Sequence, residues 1–321
     1  MIRWGILGAG NIAKRFTKSL SHSQEAYLYA VASYTYEKRI QWQNQYPTLC
    51  VYDQYDALLD DPQVDIVYIA TRHKDHYHWA KEALLRKKAV LCEKPATLSY
   101  QQTKELCELA KANHTLFIEG IKTRFIPLIQ DIKTIIQQQT IGDIMSIETC
   151  FAYDAPYREG HYLHDKNQGG ILYDVSSYNL AFIFDFIDAE IAQINVQADF
   201  KDGVDVNDQI ELMFESGQTA YIDIAMNENK EKTMTIKGMK GSITAKPFYR
   251  PEKAVVSLLN QEDIIEKNYV YDDFYKEIQE AHRCYQKHLY ESSRMSLDDS
   301  IKIIKTIETI KEKMIGGHYD I

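Results

Sequence analysis

The sequence predicts an α/β protein in two parts, an N-terminal doubly wound parallel sheet followed by an α+β domain on a large, mostly antiparallel sheet. Three observations carry this reading. Strands and helices alternate through residues 1–122. A glycine turn, Gly8-Ala9-Gly10, joins the first strand to the first helix. Beyond about residue 125 the alternation stops, and strand-like stretches follow one another.

Ile2-Arg3-Trp4-Gly5-Ile6-Leu7 is a short apolar strand. Residues 11–20 read as a helix, with Ile12, Phe16 and Leu20 on one face. Gly8 permits the turn, and Gly10 lets a pyrophosphate approach the helix N-terminus, where Asn11 and Ile12 begin the helix. Ala13 is small enough for helix-to-strand packing. A strand at 27–33 and a helix at 37–46 follow, then a short helix at 56–59, a buried strand at 64–70, a helix at 74–86 and a strand at 89–92. Strands and helices of these lengths call for right-handed crossovers and a parallel sheet. Such sheets bind ligands beyond their C-terminal strand ends, which here fall at Gly8, Ser33, Thr71 and Glu93. A NAD-preferring site places a carboxylate at the end of the second strand. This chain has Ser33-Tyr34-Thr35 there, with Lys38 and Arg39 close behind. That favours NADP over NAD.

In the second part, residues 144–153, 191–200, 206–215, 219–226 and 234–245 have strand character. Ile210, Leu212 and Phe214 alternate onto one apolar face, and 215–218 reads as a hairpin loop. Helices should cover one face of this sheet. Gly169-Gly170 leads into a helix running to about Ile187, with Asp174 and Tyr178 one turn apart on the same side. A late amphipathic helix at 296–314 repeats Ile301, Ile304, Ile307 and Ile310, with Ser296 as its N-cap. The domains are therefore drawn at 1–122, for dinucleotide binding, and 123–321, for substrate binding and assembly.

Composition narrows the partners. A net charge of −9 with no long run of either sign disfavours nucleic acid, since phosphate neutralisation needs clustered cations. No stretch reaches the roughly 20 apolar residues of a membrane span. The five cysteines are scattered without a Cys-x-x-Cys pair, so free thiols, a reducing cytoplasmic setting and no metal site are expected. A small-molecule substrate is the expected partner.

The order of the glycine turn, Ala70-Thr71-Arg72-His73-x-x-His76 and Cys92-Glu93-Lys94-Pro95 resembles the glucose-fructose oxidoreductase and inositol dehydrogenase (Gfo/Idh/MocA) family. Phe117-Ile118-Glu119-Gly120 and Thr123-Arg124-Phe125-x-Pro127 are similar to its dimeric dihydrodiol dehydrogenase branch. The resemblance implies a Rossmann domain holding NADP or NAD, a homodimer or higher homo-oligomer through the C-terminal sheet, and a tyrosine acid/base at Tyr178. Arg72 and His73 depart from the Pro and Asn common there, Lys122 replaces an expected Trp, and Gln168 stands where a further glycine is frequent.

The chemistry suits these residue types. Oxidising a secondary alcohol requires a partner for its hydroxyl proton, and free tyrosine titrates near pH 10. A nearby cation makes it useful at neutral pH, and Lys94 can supply one while polarising a carbonyl oxygen. Asp174 can orient either group. His76 is a candidate for contact with cofactor or substrate, or for capping its helix. Lys122, Arg124, His161 and His164 are candidate substrate residues, with solvated loop histidines and an Arg124 ion pair as the plainer alternatives. The function expected is NAD(P)-dependent interconversion of a secondary alcohol and a carbonyl on a sugar, polyol or diol-like molecule. The rival is a noncatalytic dinucleotide-binding regulator on the same fold.

Overall fold

A computed structural model describes residues 1–316. The chain divides into two compact units, Met1–Gly120 with Val270–Ile304, and Ile121–Tyr269 with the chain from Lys305 onward. The division drawn from sequence, 1–122 and 123–321, differs at the C-terminal side, since Val270–Ile304 belongs to the first unit. Residues 317–321 of the 123–321 span lie outside the described residues.

The first unit holds β1 (Ile2–Leu7), α1 (Asn11–Leu20), β2 (Ala26–Ala32), α2 (Tyr36–Gln45), β3 (Cys50–Tyr52), α3 (Tyr55–Leu59), β4 (Ile66–Ile69), α4 (His73–Leu85), β5 (Ala89–Glu93), α5 (Tyr100–Asn113) and β6 (Phe117–Gly120). Its six strands pair in parallel in the order β3-β2-β1-β4-β5-β6. The order reverses direction next to β1, the switch point at which ligands bind in such sheets. Short runs such as Ile66–Ile69 are buried throughout, as strands covered on both faces must be.

The second unit contains α6 (Pro127–Gln137), β7 (Ile144–Ala152), α7 (Ile171–Phe184), β8 (Ile191–Lys201), β9 (Val204–Phe214), β10 (Thr219–Ala225), β11 (Met234–Gly238), β12 (Gly241–Ala245), β13 (Lys253–Leu258) and β14 (Gln261–Glu266). The eight strands are ordered β14-β13-β12-β11-β7-β10-β9-β8, antiparallel except for β7 beside β10. The 234–245 stretch is two strands, because the chain reverses at Met239-Lys240 and pairs Met234 with Ala245. The 215–218 loop does join an antiparallel pair, with Gly217 at φ +84. Between Ile171 and Ile183 every residue of α7 except Asp174 is buried. A helix apolar nearly all round belongs inside a core, and α7 lies against β7, β9 and β10. It ends at Phe184 with Asp185 as its C-cap, three residues short of the expected end.

Back in the first unit, α8 (Tyr275–Gln286) packs beside α1, and α9 (Leu297–Gly316) begins after it. Trp4 donates its indole N–H to His282 Nε2 at 2.9 Å, Arg15 pairs with Asp273 at 2.8 Å, and Ser19 donates to Asp272 at 2.7 Å. These contacts explain why 270–304 returns to the nucleotide-type sheet. No local sequence pattern records them.

Candidate active site

In the first unit the site is built at the C-terminal strand ends. Gly8 has φ +97, and a Cβ there would lie 2.4 Å from the Ala70 carbonyl oxygen, so only glycine fits. Gly10, by contrast, faces open space. It precedes an α1 N-terminus with no side-chain cap and no acidic residue in its first turn. The first-turn N–H groups of Asn11 and Ile12 are thus left to an anion. At the end of β4 the buried Thr71 hydroxyl has no hydrogen-bond partner in the protein. Open room at Gly10 and an orphaned hydroxyl at Thr71 fit a bound dinucleotide.

At the end of β2, the Ser33 carbonyl accepts Arg39 Nη1 at 2.8 Å. The Arg39 guanidinium lies 5.6 Å from the Tyr36 ring centre. Tyr34 is exposed and its ring lies 4.3 Å from that of Tyr55, while Lys38 is exposed on α2.

The Lys94 segment is held from three elements of the same unit. Tyr68 on β4 donates its hydroxyl to the Glu93 carboxylate. His76 on α4 places Nδ1 2.8 Å from the Pro95 carbonyl and Nε2 3.3 Å from that of Thr71. Glu119 on β6 accepts the Ala96 N–H at 2.9 Å. His76 is therefore not a helix cap but a buried latch between two strand ends, and burial lowers its pKa. A neutral ring has one N–H, so it donates to one carbonyl at a time. Burial raises the Glu119 carboxyl, while the Ala96 N–H, Ser300 and the charge of Lys94 oppose that shift.

In the second unit α7 presents Asp174 and Tyr178 on one side. Tyr153 donates to Asp174 Oδ2 at 2.5 Å and Tyr162 to Oδ1 at 3.5 Å. Burial and the Asp174 charge push the Tyr153 phenol upward, so it stays a donor. Tyr178 is buried, its ring 6.1 Å from Phe151 and 6.2 Å from Tyr249. Lys122, itself only 6% exposed, sits with its ammonium 5.9 Å from the Tyr178 ring centre. The cation found beside Tyr178 within this unit is thus Lys122.

The remaining candidates are structural by their surroundings. Arg124 is buried and pairs with Asp185 at 2.7 Å, and Lys133 meets the same oxygen at 2.8 Å. His161 Nδ1 accepts the Leu163 N–H at 3.4 Å, starting a single 3-10 turn at Tyr162–His164. His164 lies half-buried, its ring 4.8 Å from that of Tyr157. Buried Gln168 donates to Asp165 Oδ2 at 2.7 Å, which stitches the turn before the glycine pair. The polar stretch from Tyr153 to His164 pointed to a hydroxylated or anionic substrate without singling out Tyr153 or Tyr162, and sequence reasoning missed Tyr249, which lies far from Tyr178 in the chain. Glu119 did have one: a carboxylate inside the apolar run Phe117–Gly120.

Among the described residues no helix is long and apolar enough to cross a membrane. The five cysteines are free thiols.

The chain is 28% identical to a mouse trans-1,2-dihydrobenzene-1,2-diol dehydrogenase, covering 98% of this chain and 97% of that protein. It is also 28% identical to a D-xylose 1-dehydrogenase (NADP(+)) of Hypocrea jecorina, over 96% and 90% of the two chains. A 3-ketoreductase from Actinomadura kijaniata, solved with NADP and TDP-benzene, shares the fold with a TM-score of 0.88 at 21% identity, over 97% of each chain. Residues 2–121 match the model of an oxidoreductase family with an NAD-binding Rossmann fold, and 129–244 match the C-terminal domain of the same family. With both of its domains matched, the chain belongs to the Gfo/Idh/MocA oxidoreductase family.

Proposed function

We propose that this oxidoreductase interconverts a secondary alcohol and a carbonyl on a sugar, polyol or diol-like small molecule, with Tyr178 exchanging the hydroxyl proton and NADP(H) as the preferred cofactor. The observation that carries the reading is the buried Tyr178 with a cation over its ring and Asp174 one turn earlier. A phenol so placed is not needed for packing alone, since Phe would fill the same space. The relatives named for a dihydrodiol and for xylose both act on hydroxylated carbon rings or chains, which supports the substrate class.

Gly8, Gly10, Asn11 and Ile12 would hold the pyrophosphate. Thr71, Glu93 and the His76-latched loop would border the nicotinamide half. When bound, the nicotinamide supplies or accepts hydride. Lys94 contributes positive charge that polarises the substrate oxygen. Tyr178 passes the proton, and Lys122 favours its anionic form. Asp174, fixed by Tyr153 and Tyr162, orients the hydroxylated substrate. Arg39, held by the Ser33 carbonyl with no carboxylate at the strand end, suits a 2′-phosphate. The NADP(+) in the fungal relative's name leans the same way. Residues Lys122, Arg124, His161 and His164 were the substrate candidates; the pairing of Arg124 with Asp185 leaves Lys122 as the strongest of them.

For assembly we favour a homodimer through the open face of the large sheet. That face has a groove of about 580 Å³ lined by Glu148, Gln197, Glu211, Tyr221 and Asp223 among others. Light scattering of the purified protein reads this directly, a monomer at micromolar concentration being the adverse result. A noncatalytic regulator remains the rival, but the family matched is one of oxidoreductases.

The deciding experiment is turnover of a panel of sugars, inositols and diols by wild type and Tyr178→Phe. The variant should fold and bind NADPH normally, and lose about a hundredfold or more in kcat, the scale of acid/base assistance. Retention of more than about a tenth of wild-type turnover would remove Tyr178 from the chemistry.

A further inference from the structure

The second glycine of the pair before α7 is explained by a carboxylate, whereas Gly169 is set against the Leu163 carbonyl. Asp205 on β9 accepts the Leu172 N–H at 2.7 Å. Gly170 has φ +94, and a Cβ there would lie 2.0 Å from Asp205 Oδ1. Leu172 is in the first turn of α7, where an N–H has no partner within the helix. Asp205 therefore ties the start of the helix that carries Asp174 and Tyr178.

A second carboxyl lies beneath it. Asp208 is fully buried, on the same sheet face as Ile210, Leu212 and Phe214, and opposite Ile224 of β10. No N–H or hydroxyl group donates to either of its oxygens, and the one side chain it meets within hydrogen-bonding reach is the carboxyl of Asp205. An isolated charge there would cost several kcal/mol, so the group resolves the problem by staying neutral. Burial first, and then the charge of Asp205, push Asp208 up to about 9.

We propose that Asp205 is a positioning residue for the reacting helix, and that Asp208 is its neutral partner, whose proton keeps two buried carboxyls compatible. The proposal rests on the assignment of Tyr178 and Asp174 to the chemistry. Other charged groups facing the pair are Asp199 on β8 and Lys311 on α9, whose amine also lies 4.4 Å from the Tyr173 ring centre, with Glu308 near Tyr173. Above pH 9 Asp208 ionises, the two carboxylates repel, and the helix start loosens.

Three measurements on the full chain test this. Asp205→Ala should lower kcat about tenfold to a hundredfold, the effect of misplacing reacting groups by an ångström, with NADPH affinity unchanged. Exchange of the Leu172 amide should speed up in the same variant. Asp205→Asn, which keeps an acceptor oxygen, should recover most of both. Asp208→Asn should remove the part of the alkaline loss of kcat that centres near pH 9. Wild-type kcat and wild-type Leu172 exchange in Asp205→Ala would overturn the positioning role. Should that variant not fold, an Asp208→Asn profile superimposable on wild type overturns the proposal instead. Failure of the Tyr178 assignment is read separately, as an active Tyr178→Phe, and leaves the Leu172 exchange to judge the tie.

Discussion

At the scale of single residues, the charged groups divide into those meant for ligand and those spent on holding backbone. Lys94 belongs to the first class: Lys94→Ala should fold, bind dinucleotide and lose about two decades of turnover, while activity within about threefold of wild type would defeat the assignment. Lys122 extends the same logic. Lys122→Met keeps its bulk and removes the cation above Tyr178, so turnover should fall about twofold to thirtyfold, the rate equivalent of a cation–π contact of roughly 0.5–2 kcal/mol. Arg39→Ala should weaken NADPH binding and leave NADH nearly untouched; equal losses for both, measured as dissociation constants, would point to Arg39 as a fold residue only. The sequence marked Lys94, Asp174 and Tyr178 because their chemistry sits in readable motifs. It did not mark Asp208, although an aspartate at a position in register with Ile210, Leu212 and Phe214 breaks the apolar alternation. Its meaning emerges only when α7 and Asp205 lie above it.

At the scale of elements, periodicity located most helices and strands to within a residue or two, since burial on one face leaves a period of two or 3.6 in the chain. β3, only Cys50–Tyr52, is too short to show a period, and β11 and β12 read as one strand although Gly238 and Gly241 bracket the reversal at Met239-Lys240. Helix starts were more legible. Ser296 accepts the Asp299 N–H at 3.0 Å, and Asp299 Oδ2 accepts the Ser296 N–H at 2.9 Å, a reciprocal cap. Ser296→Ala should therefore cost about 0.5–2 kcal/mol in urea unfolding without changing kcat. A loss in kcat at unchanged stability would mean that α9 does more than complete the cores.

At the scale of the whole molecule, the parallel sheet followed by a mostly antiparallel one was legible in the rhythm of the sequence, while the strand order of the second sheet and the return of 270–304 to the first unit were not. That return buries His282, whose Nε2 accepts the Trp4 indole N–H and must be unprotonated to do so. Burial lowers it from 6.5 to about 4. The unfolded chain then binds the extra proton first, so stability is lost as pH falls from 6.5 towards 4, by up to about 1.4 kcal/mol per pH unit. His282→Gln, which keeps an acceptor for Trp4, should flatten that acid limb in thermal unfolding; an unchanged limb would assign it to other groups. The same packing has a consequence for synthesis. A domain whose strands all precede residue 121 could fold on the ribosome while the rest is still being made. Here Trp4, Phe16 and Arg15 wait for Phe274, Asp273 and His282, so the nucleotide-type unit closes only after residues 121–269 of the other unit have been made. A ribosome stalled after Tyr269 would therefore hold a unit in which Trp4 and Phe16 still lack the His282 and Phe274 rings that pack on them.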